Sequence, residues 1–534
     1  MEDDYDSLED LDTIDAAIAK YRSIVQRLCT IRNSRVPIWR IPDEILSKIF
    51  LLIVSERFYD WYSNTENTPP QPYKWMQIAY VCRHWHRVCV ATHQLWAFVD
   101  LGNPERTRVL LRLSGTAPLT LISRMTFEQD ALHLCLAEMS RIRHFLFEPP
   151  YPLEYLASDD GRPYLPPITG VSRVLTLHLS LATPAFTKLF LSSSLTHLRC
   201  GFMEPQFSVR EMIAVLDSVP CLVDLELVEA LQSISPPDSH NLAPDRQAVA
   251  LPALRRMELQ DSSTAGVSCA TLLQYIELPP QASVSMNFGS NANHPQEAAV
   301  IVDTLRRAAS RVFSRGNLPQ ICCIRREEHA FQALSTGQFG LVFKLQPTVQ
   351  QLPELLWTLY APHSPSPGPG HVTITLRITP HWSEDALVDT FLSTLPLANV
   401  SMLVAQLRTF PDDIWIQLAR IANVTHVSAA PHEFAYDLMK ALAALSDPPF
   451  PKLQVLMLGN ICWDKGLLGP EGGDVPLSKR CHDALQARLA QGAPLRSLSL
   501  RGAIGVDEAE LIALQDSGLV KKVELVDMTG VSVP

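Results

Sequence analysis

The features that this sequence lacks exclude several classes of protein. No C-x-x-C pair is present, and eleven cysteines, an odd number, are scattered over 534 residues, so a disulfide framework is not expected. The chain begins Met-Glu-Asp-Asp, whereas a secretory signal is basic and then apolar. The strongest apolar run, Ile49–Val54, is too short to cross a bilayer. These absences predict reduced thiols, a cytoplasmic or nuclear location and no association with a membrane.

Signals for nucleic-acid binding and for catalysis are also missing. The net charge is −11, whereas a domain that holds phosphate backbones is usually basic. The sequence contains no phosphate loop, dinucleotide fingerprint, nucleophile elbow or H-E-x-x-H motif. Cys82, His86 and Cys89 could share one helical face as three zinc ligands, but apolar residues alternate with them and no fourth ligand is nearby in sequence. We therefore predict no catalytic residue, no cofactor, no metal and no nucleic-acid partner.

An apolar stripe is the first pattern that is present. Residues 1–15 contain eight carboxylates and no base. From residue 11, apolar side chains recur at alternating steps of three and four, as in a coiled coil, over fewer than three heptads. The stripe consists of Leu11, Ile14, Ile18, Tyr21, Val25 and Leu28. Residues 1–36 are therefore predicted to be an acidic N-terminus and a helix, which packs on its own chain or pairs with another copy.

Residues 37–100 are predicted to form a small helical domain. Pro37 ends the first helix because proline lacks the donor N–H. Ile41-Pro42-Asp43-Glu44 opens a second helix, since proline and acids suit the first helical turn. The composition of residues 63–73 is that of a loop. A third helical run at 74–91 and a strand-like stretch at 95–101 complete the segment.

This segment resembles the F-box, in particular the F-box-like proteins expanded in mushroom-forming fungi. The resemblance covers about sixty residues and rests on Ile41-Pro42-Asp43-Glu44-Ile45-Leu46-x-x-Ile49-Phe50, on Val81-Cys82-Arg83-His84-Trp85 and on Leu95-Trp96. It implies docking onto a Skp-family adaptor, which tethers F-box proteins to a cullin–RING ubiquitin ligase. The adaptor-binding residues that it implies are Pro42, Ile45, Leu46, Ile49, Phe50, Val81, Cys82, Trp85, Leu95 and Trp96.

A second pattern, apolar-x-x-apolar-x-apolar, recurs eight times beyond residue 100. Its starts are separated by 32, 21, 27 and 32 residues in the first group, which is typical of leucine-rich repeats. The matches are Ile142/Phe145/Phe147, Val174/Leu177/Leu179, Leu195/Leu198/Cys200, Leu222/Leu225/Leu227, Leu254/Met257/Leu259, Leu453/Leu456/Leu458, Leu495/Leu498/Leu500 and Val520/Val523/Leu525. The pattern predicts one short strand at each match.

Amphipathic helical segments such as 209–216 and 482–489 precede several matches, and helices that alternate with strands imply parallel pairing. The predicted fold class is therefore α/β: an N-terminal helical F-box followed by an irregular leucine-rich-repeat solenoid over 101–534. Between about 280 and 450 the pattern fades, although strand-like runs remain at 372–376 and 400–404. This part is predicted to be either irregular repeats with insertions or a separate inserted domain.

The side chains that alternate with the leucines suggest what the repeats bind. His178, Arg199, Glu226, Glu258 and Ser499 are predicted to face outward, and their mixed charges favour a protein or peptide target. Arg199, Glu226 and Glu258 are the predicted target-binding residues. The predicted function is a substrate-recognition adaptor of a Skp-cullin-F-box type ubiquitin ligase. The alternative is a leucine-rich-repeat scaffold with no ligase role.

Overall fold

The fold is taken from a computed structural model of the chain. The residues that it describes are 11–63, 73–123, 128–148, 172–233, 248–261, 266–279, 282–289, 321–327, 339–346, 372–378, 400–406, 418, 421, 423–430, 432–444, 450–465 and 475–526. The predictions for residues 1–10, and most of those for 280–450, lie outside these ranges. The chain divides into two compact units, residues 1–181 and 182–534. This boundary lies within the region 101–534, for which the repeat pattern predicts one domain.

The first unit begins with helices and continues into a sheet. Its α-helices are α1 (Leu11–Ser34), α2 (Asp43–Ser63), α3 (Arg83–Ala91), α4 (Pro104–Leu113) and α5 (Gln129–Leu136). Its 3-10 helices are Pro37–Arg40, Lys74–Tyr80, His93–Ala97 and Met139–Arg141. Its strands are β1 (Phe98–Asp100), β2 (Leu119–Ser123), β3 (Ile142–Phe147) and β4 (Thr176–Ser180).

The predicted third helical run is divided in two by Cys82. This residue has extended backbone angles, φ −161° and ψ 167°, and its thiol accepts a hydrogen bond from the backbone N–H of Trp85. Cys82 is thus the N-cap of α3, a position that requires non-helical backbone. The predicted strand over 95–101 is also wrong in part, because residues 93–97 form a 3-10 helix and only residues 98–100 are a strand.

The strands of the first unit are parallel and pair in chain order. Their register aligns Val99, Leu121, Phe145 and Leu177 in one row across the sheet. All four side chains are fully buried. Since side chains of a strand alternate between faces, this row identifies the core-facing side.

The second unit continues the alternation of helices and strands. Its α-helices are α6 (Pro184–Lys188), α7 (Val209–Asp217), α8 (Gly266–Gln274), α9 (His432–Ala444), α10 (Leu477–Ala490) and α11 (Glu508–Asp516). Its strands are β5 (His197–Gly201), β6 (Asp224–Val228), β7 (Val249–Ala250), β8 (Arg256–Asp261), β9 (Ile276–Glu277), β10 (Ser283–Gly289), β11 (Ile321–Glu327), β12 (Phe339–Gln346), β13 (Val372–Ile378), β14 (Met402–Gln406), β15 (His426–Ala430), β16 (Val455–Gly459), β17 (Leu495–Arg501) and β18 (Val520–Val526).

The main sheet of this unit is parallel at both ends and changes direction in the middle. Its strand order is β5-β6-β8-β10-β13-β12-β11-β14-β15-β16-β17-β18. Strand β12 lies antiparallel to both β11 and β13, and every other pair in this order is parallel. Strands β7 and β9 form a separate parallel pair. The fold is therefore mixed α/β with parallel sheet, as predicted.

The eight recurrences all coincide with strands, which confirms the strand positions. The apolar residues of the first seven matches are buried, whereas in the eighth Val523 and Leu525 are half-buried. In the row that crosses β5, β6 and β8, Leu198 pairs with Leu225 and Leu225 pairs with Met257. These three side chains are fully buried.

Local sequence signals also place the helices. Ser208 and Glu211 form a capping box at the start of α7, and hydrogen bonding from Ser208 lowers the pKa of Glu211.

Candidate docking face and target-binding row

Helix α2 has apolar side chains on more than one side. Leu46, Phe50 and Val54, spaced by four residues, are buried and α2 packs against α3 and the adjoining 3-10 helices. The ring of Phe50 lies 5.2 Å from that of Trp85 on α3, centroid to centroid. This side of α2 is part of the core of the first unit.

A second side of α2 is exposed. Ile45 is 47% exposed, Ile49 38% and Leu52 69%. Because their spacing is four and three residues, the three side chains lie on one face of the helix. Tyr80 and Val81, at the junction before α3, are also exposed. We call Ile45, Ile49 and Leu52 the docking face.

Polar contacts hold the start of α2 in place. Asp43, the first residue of the helix, lies 3.5 Å from Nε2 of His84 and 3.6 Å from Nη2 of Arg87, both on α3. Ser47 shares a hydrogen bond of 2.9 Å with Thr92. The first contact joins the start of α2 to α3, and the second joins α2 to the residue that follows α3. The N-terminal half of α2 is therefore held in place.

Two buried tryptophans pack against each other in the helical segment. The rings of Trp75 and Trp96 meet edge to face at 5.3 Å. The indole N–H of Trp96 donates to the carbonyl of Cys89 at 2.8 Å, so its polar atom is satisfied although the side chain is buried. The Tyr73 hydroxyl accepts a hydrogen bond from the backbone N–H of Asp100. Burial raises the pKa of that tyrosine well above its usual range.

The structure divides the ten predicted adaptor-binding residues into three groups. Leu46, Phe50, Leu95 and Trp96 are buried within their own unit, and Cys82 and Trp85 are partly buried. Pro42, Ile45, Ile49 and Val81 are exposed. Leu52 is a residue that the sequence reasoning missed. Extending the face of Ile45 and Ile49 by one helical turn would have found it.

The possible zinc ligands on α3 do not come together. The thiol of Cys82 caps the helix, whereas Cys89 is buried and its burial raises the pKa of the thiol to about 11. Among the residues that the structure describes, no group of three or more histidine, cysteine or acidic side chains could hold a metal ion. Among the same residues, no helix has the length and apolarity that crossing a membrane requires.

The three predicted target-binding residues are neighbours on one face of the second unit's sheet. Arg199, Glu226 and Glu258 occupy adjacent positions of β5, β6 and β8, on the side opposite the buried leucines. We call them the charged row. Nε of Arg199 lies 3.2 Å from Oε1 of Glu226. Nη2 of Arg256, in the next row, donates to Oε2 of Glu258 at 2.6 Å.

Partial burial affects the acids of this face. Desolvation raises the pKa of Glu226, and the positive charge of Arg199 acts against that shift. Desolvation likewise raises the pKa of Asp224, which lies beside Arg256. Glu226 also lies directly opposite Glu258, and this like charge adds to its shift. The face is therefore a half-buried set of acids and arginines, in which ion pairs offset part of the cost of desolvation.

Of the other residues predicted to face solvent, His178 is half-buried, but the prediction for Ser499 is wrong, because this residue is buried. Its cross-strand neighbour Met457 is also buried, as is Val404 on β14. Strands β14 and β16 are thus buried on both faces, unlike β5 and β6. Continuous apolar runs are typical of such strands, and the run from Val455 to Leu458 is the signal that could have revealed it.

Comparison of the sequence with models of known protein families gives no match. Comparison with curated protein sequences gives none either.

Proposed function

We propose that this chain is the substrate-recognition adaptor of a Skp-cullin-F-box type ubiquitin ligase. It docks onto a Skp-family protein, and through it a cullin, by the docking face of α2. It binds a protein target through the repeat region of the second unit. The observation that carries the proposal is the exposure of Ile45, Ile49 and Leu52 on a helix whose other side already forms the core.

The reason is the cost of leaving that face in water. Fully burying one isoleucine or leucine side chain stabilises by about 2 kcal/mol relative to exposure. An apolar face of a helix is normally buried against another element. Within the part of the chain that the structure describes, no element buries the docking face. A partner groove that covers all three side chains would gain several kcal/mol, as at the apolar centre of a stable interface.

The docking proposal is tested with the full chain and a purified Skp-family adaptor. Replacing Ile45 and Ile49 together by lysine should weaken binding at least about a thousandfold, because two unpaired ammonium groups cannot be buried in an apolar groove. The measurement is the dissociation constant by calorimetry or interferometry. The unfolding midpoint should stay close to that of the unchanged chain, since both side chains are already exposed.

Val109 provides the matched control. It lies on α4 in the same unit and is 44% exposed, close to Ile45, so V109K makes an equivalent change outside the docking face. V109K should bind the adaptor normally. If the full chain fails to bind any Skp-family adaptor, the alternative of a repeat scaffold without a ligase role is favoured instead.

The second half of the proposal places the target on the charged row. A leucine-rich-repeat solenoid presents one row of outward side chains from successive parallel strands, and β5, β6 and β8 present Arg199, Glu226 and Glu258 in this way. The row carries both signs of charge, which suits a polar protein surface of complementary pattern. We also propose that the repeats fold as a leucine-rich-repeat solenoid.

Exchanging the charges of one ion pair tests this surface without destabilising it. In the double variant R199E/E226R, the pair that lies 3.2 Å apart is kept in reverse orientation, and the opposition of Glu226 to Glu258 is removed. Stability should therefore change by less than about 1 kcal/mol. Target recovery, quantified by mass spectrometry of co-purified proteins, should fall at least about tenfold.

The co-purified Skp-family adaptor serves as the internal reference, because the exchange lies in the other compact unit. Adaptor recovery should be the same for both chains. A double variant that keeps every target at its original level would place recognition outside the charged row.

A further inference from the structure

Helix α1 carries an apolar stripe that is exposed to solvent. The helix has 24 residues, about 36 Å at 1.5 Å per residue. Among the described residues, none on α1 is buried. Leu11, Tyr21, Val25 and Leu28 are each at least half exposed. An amphipathic helix of this length normally covers its stripe by packing against another element.

One contact between α1 and α3 leaves the stripe open. Nη2 of Arg83, on α3, donates to Oε1 of Gln26 at 2.7 Å. Gln26 directly follows the stripe residue Val25, so its side chain lies about 100° around the helix from that position. The side of α1 that faces α3 at this point is therefore beside the stripe and does not cover it.

The spacing of the stripe is self-complementary. Its steps are three, four, three, four and three residues, the same in both directions. The six positions are therefore symmetric about the point between Ala19 and Lys20. If two copies of α1 lie antiparallel about that point, Leu11 meets Leu28 of the other copy, Ile14 meets Val25, and Ile18 meets Tyr21. Every stripe residue then has an apolar partner in one register.

The charges on α1 favour the same orientation. The acids Asp12 and Asp15 lie on the N-terminal side of the midpoint of the stripe, whereas the bases Lys20, Arg22, Arg27 and Arg32 lie on its C-terminal side. A parallel pair would place acid beside acid. In the antiparallel register, Asp15 of each copy flanks the apolar seam opposite Arg22 of the other, which gives two attractive pairs.

We propose that α1 is a self-association site, and that two copies of this chain pair through α1 as an antiparallel two-helix coiled coil. The occupant of the stripe is thus a second copy of the same segment. The inference uses only the exposure, spacing and charge of α1, so it does not depend on the proposed ligase role.

The test measures the mass of the full chain by sedimentation velocity from low to high micromolar concentration. The unchanged chain should shift from 59.5 kDa toward twice that mass. I18D, which places a carboxylate in the seam, should remain at the monomer mass. D15R and R22D should each weaken the dimer at least about tenfold, because each turns both attractive pairs into like-charge pairs.

The decisive measurement is the sedimentation of a mixture of the two single variants. In a 1:1 mixture of D15R and R22D, every flanking pair is again attractive, so the dimer should return. A parallel coiled coil would instead place residue 22 opposite Ala17 and would leave R22D unweakened. Asp15 and Arg22 are exposed, so neither change should affect folding. A chain that stays monomeric throughout, or a dimer indifferent to I18D or to R22D, would overturn the proposal.

Discussion

Replacing Leu225 by aspartate is expected to unfold the second unit. Leu225 is fully buried in β6, between Leu198 of β5 and Met257 of β8. The variant must either bury an unpaired carboxylate or open the sheet, and both cost more than about 4 kcal/mol, which is a large part of the stability of a domain. Chemical denaturation followed by circular dichroism would show the loss as an absent or strongly shifted transition.

The neighbouring residue provides the control for this change. Glu226 is in the same strand but points to the other face, where it pairs with Arg199. E226A removes a partly exposed ion pair, so it should cost no more than about 1 kcal/mol. If L225D and E226A had equal effects, the two faces of β6 would have been assigned wrongly.

The second large effect is expected on α2, where adjacent residues separate folding from docking. Leu46 is 1% exposed and belongs to the core of the first unit, whereas Ile45 belongs to the docking face. L46K should therefore destabilise the first unit by more than about 4 kcal/mol, and I45K should leave its unfolding transition almost unchanged. Thermal unfolding of both variants would measure this difference.

The adaptor-binding assay, read beside the unfolding data, separates a folding defect from a docking defect. Both should bind a Skp-family adaptor poorly, L46K because it is unfolded and I45K although it is folded. A folded L46K chain would contradict the assignment of Leu46 to the core. An unfolded I45K chain would show that the exposed side of α2 also contributes to folding.

Much of the fold was predictable because one pattern reports two properties. In Leu222/Leu225/Leu227, the last two leucines fix a strand by their alternation and also identify its buried face. The β5–β8 region alternates between apolar and charged side chains, so its register could be predicted. The burial of Ser499 does not follow from its own strand, because β17 alternates between apolar and polar residues. Ser499 lies beside Met457 of β16, a strand that is buried on both faces.

The candidate site was predictable only in part. Helix α2 has apolar residues on several sides, and its sequence alone does not state which side its own chain covers. That depends on α3, which brings Trp85 to Phe50. Once this contact is known, Leu46 and Phe50 belong to the core, and Ile45, Ile49 and Leu52 remain exposed. The resemblance to the F-box gave the residues without this distinction.

The antiparallel strand β12, in the middle of the main sheet of the second unit, affects the order in which the strands can join. On the β5 side, paired residues such as Leu198 and Leu225 are 27 positions apart, so each strand joins a neighbour that has just been synthesised. Val284 of β10 must instead find Val372 of β13, 88 positions later. Closing that longer loop costs about 1 kcal/mol more in chain entropy. Contacts that are distant in sequence form slowly, so the ends of the sheet can grow by local stacking while the central strands join last.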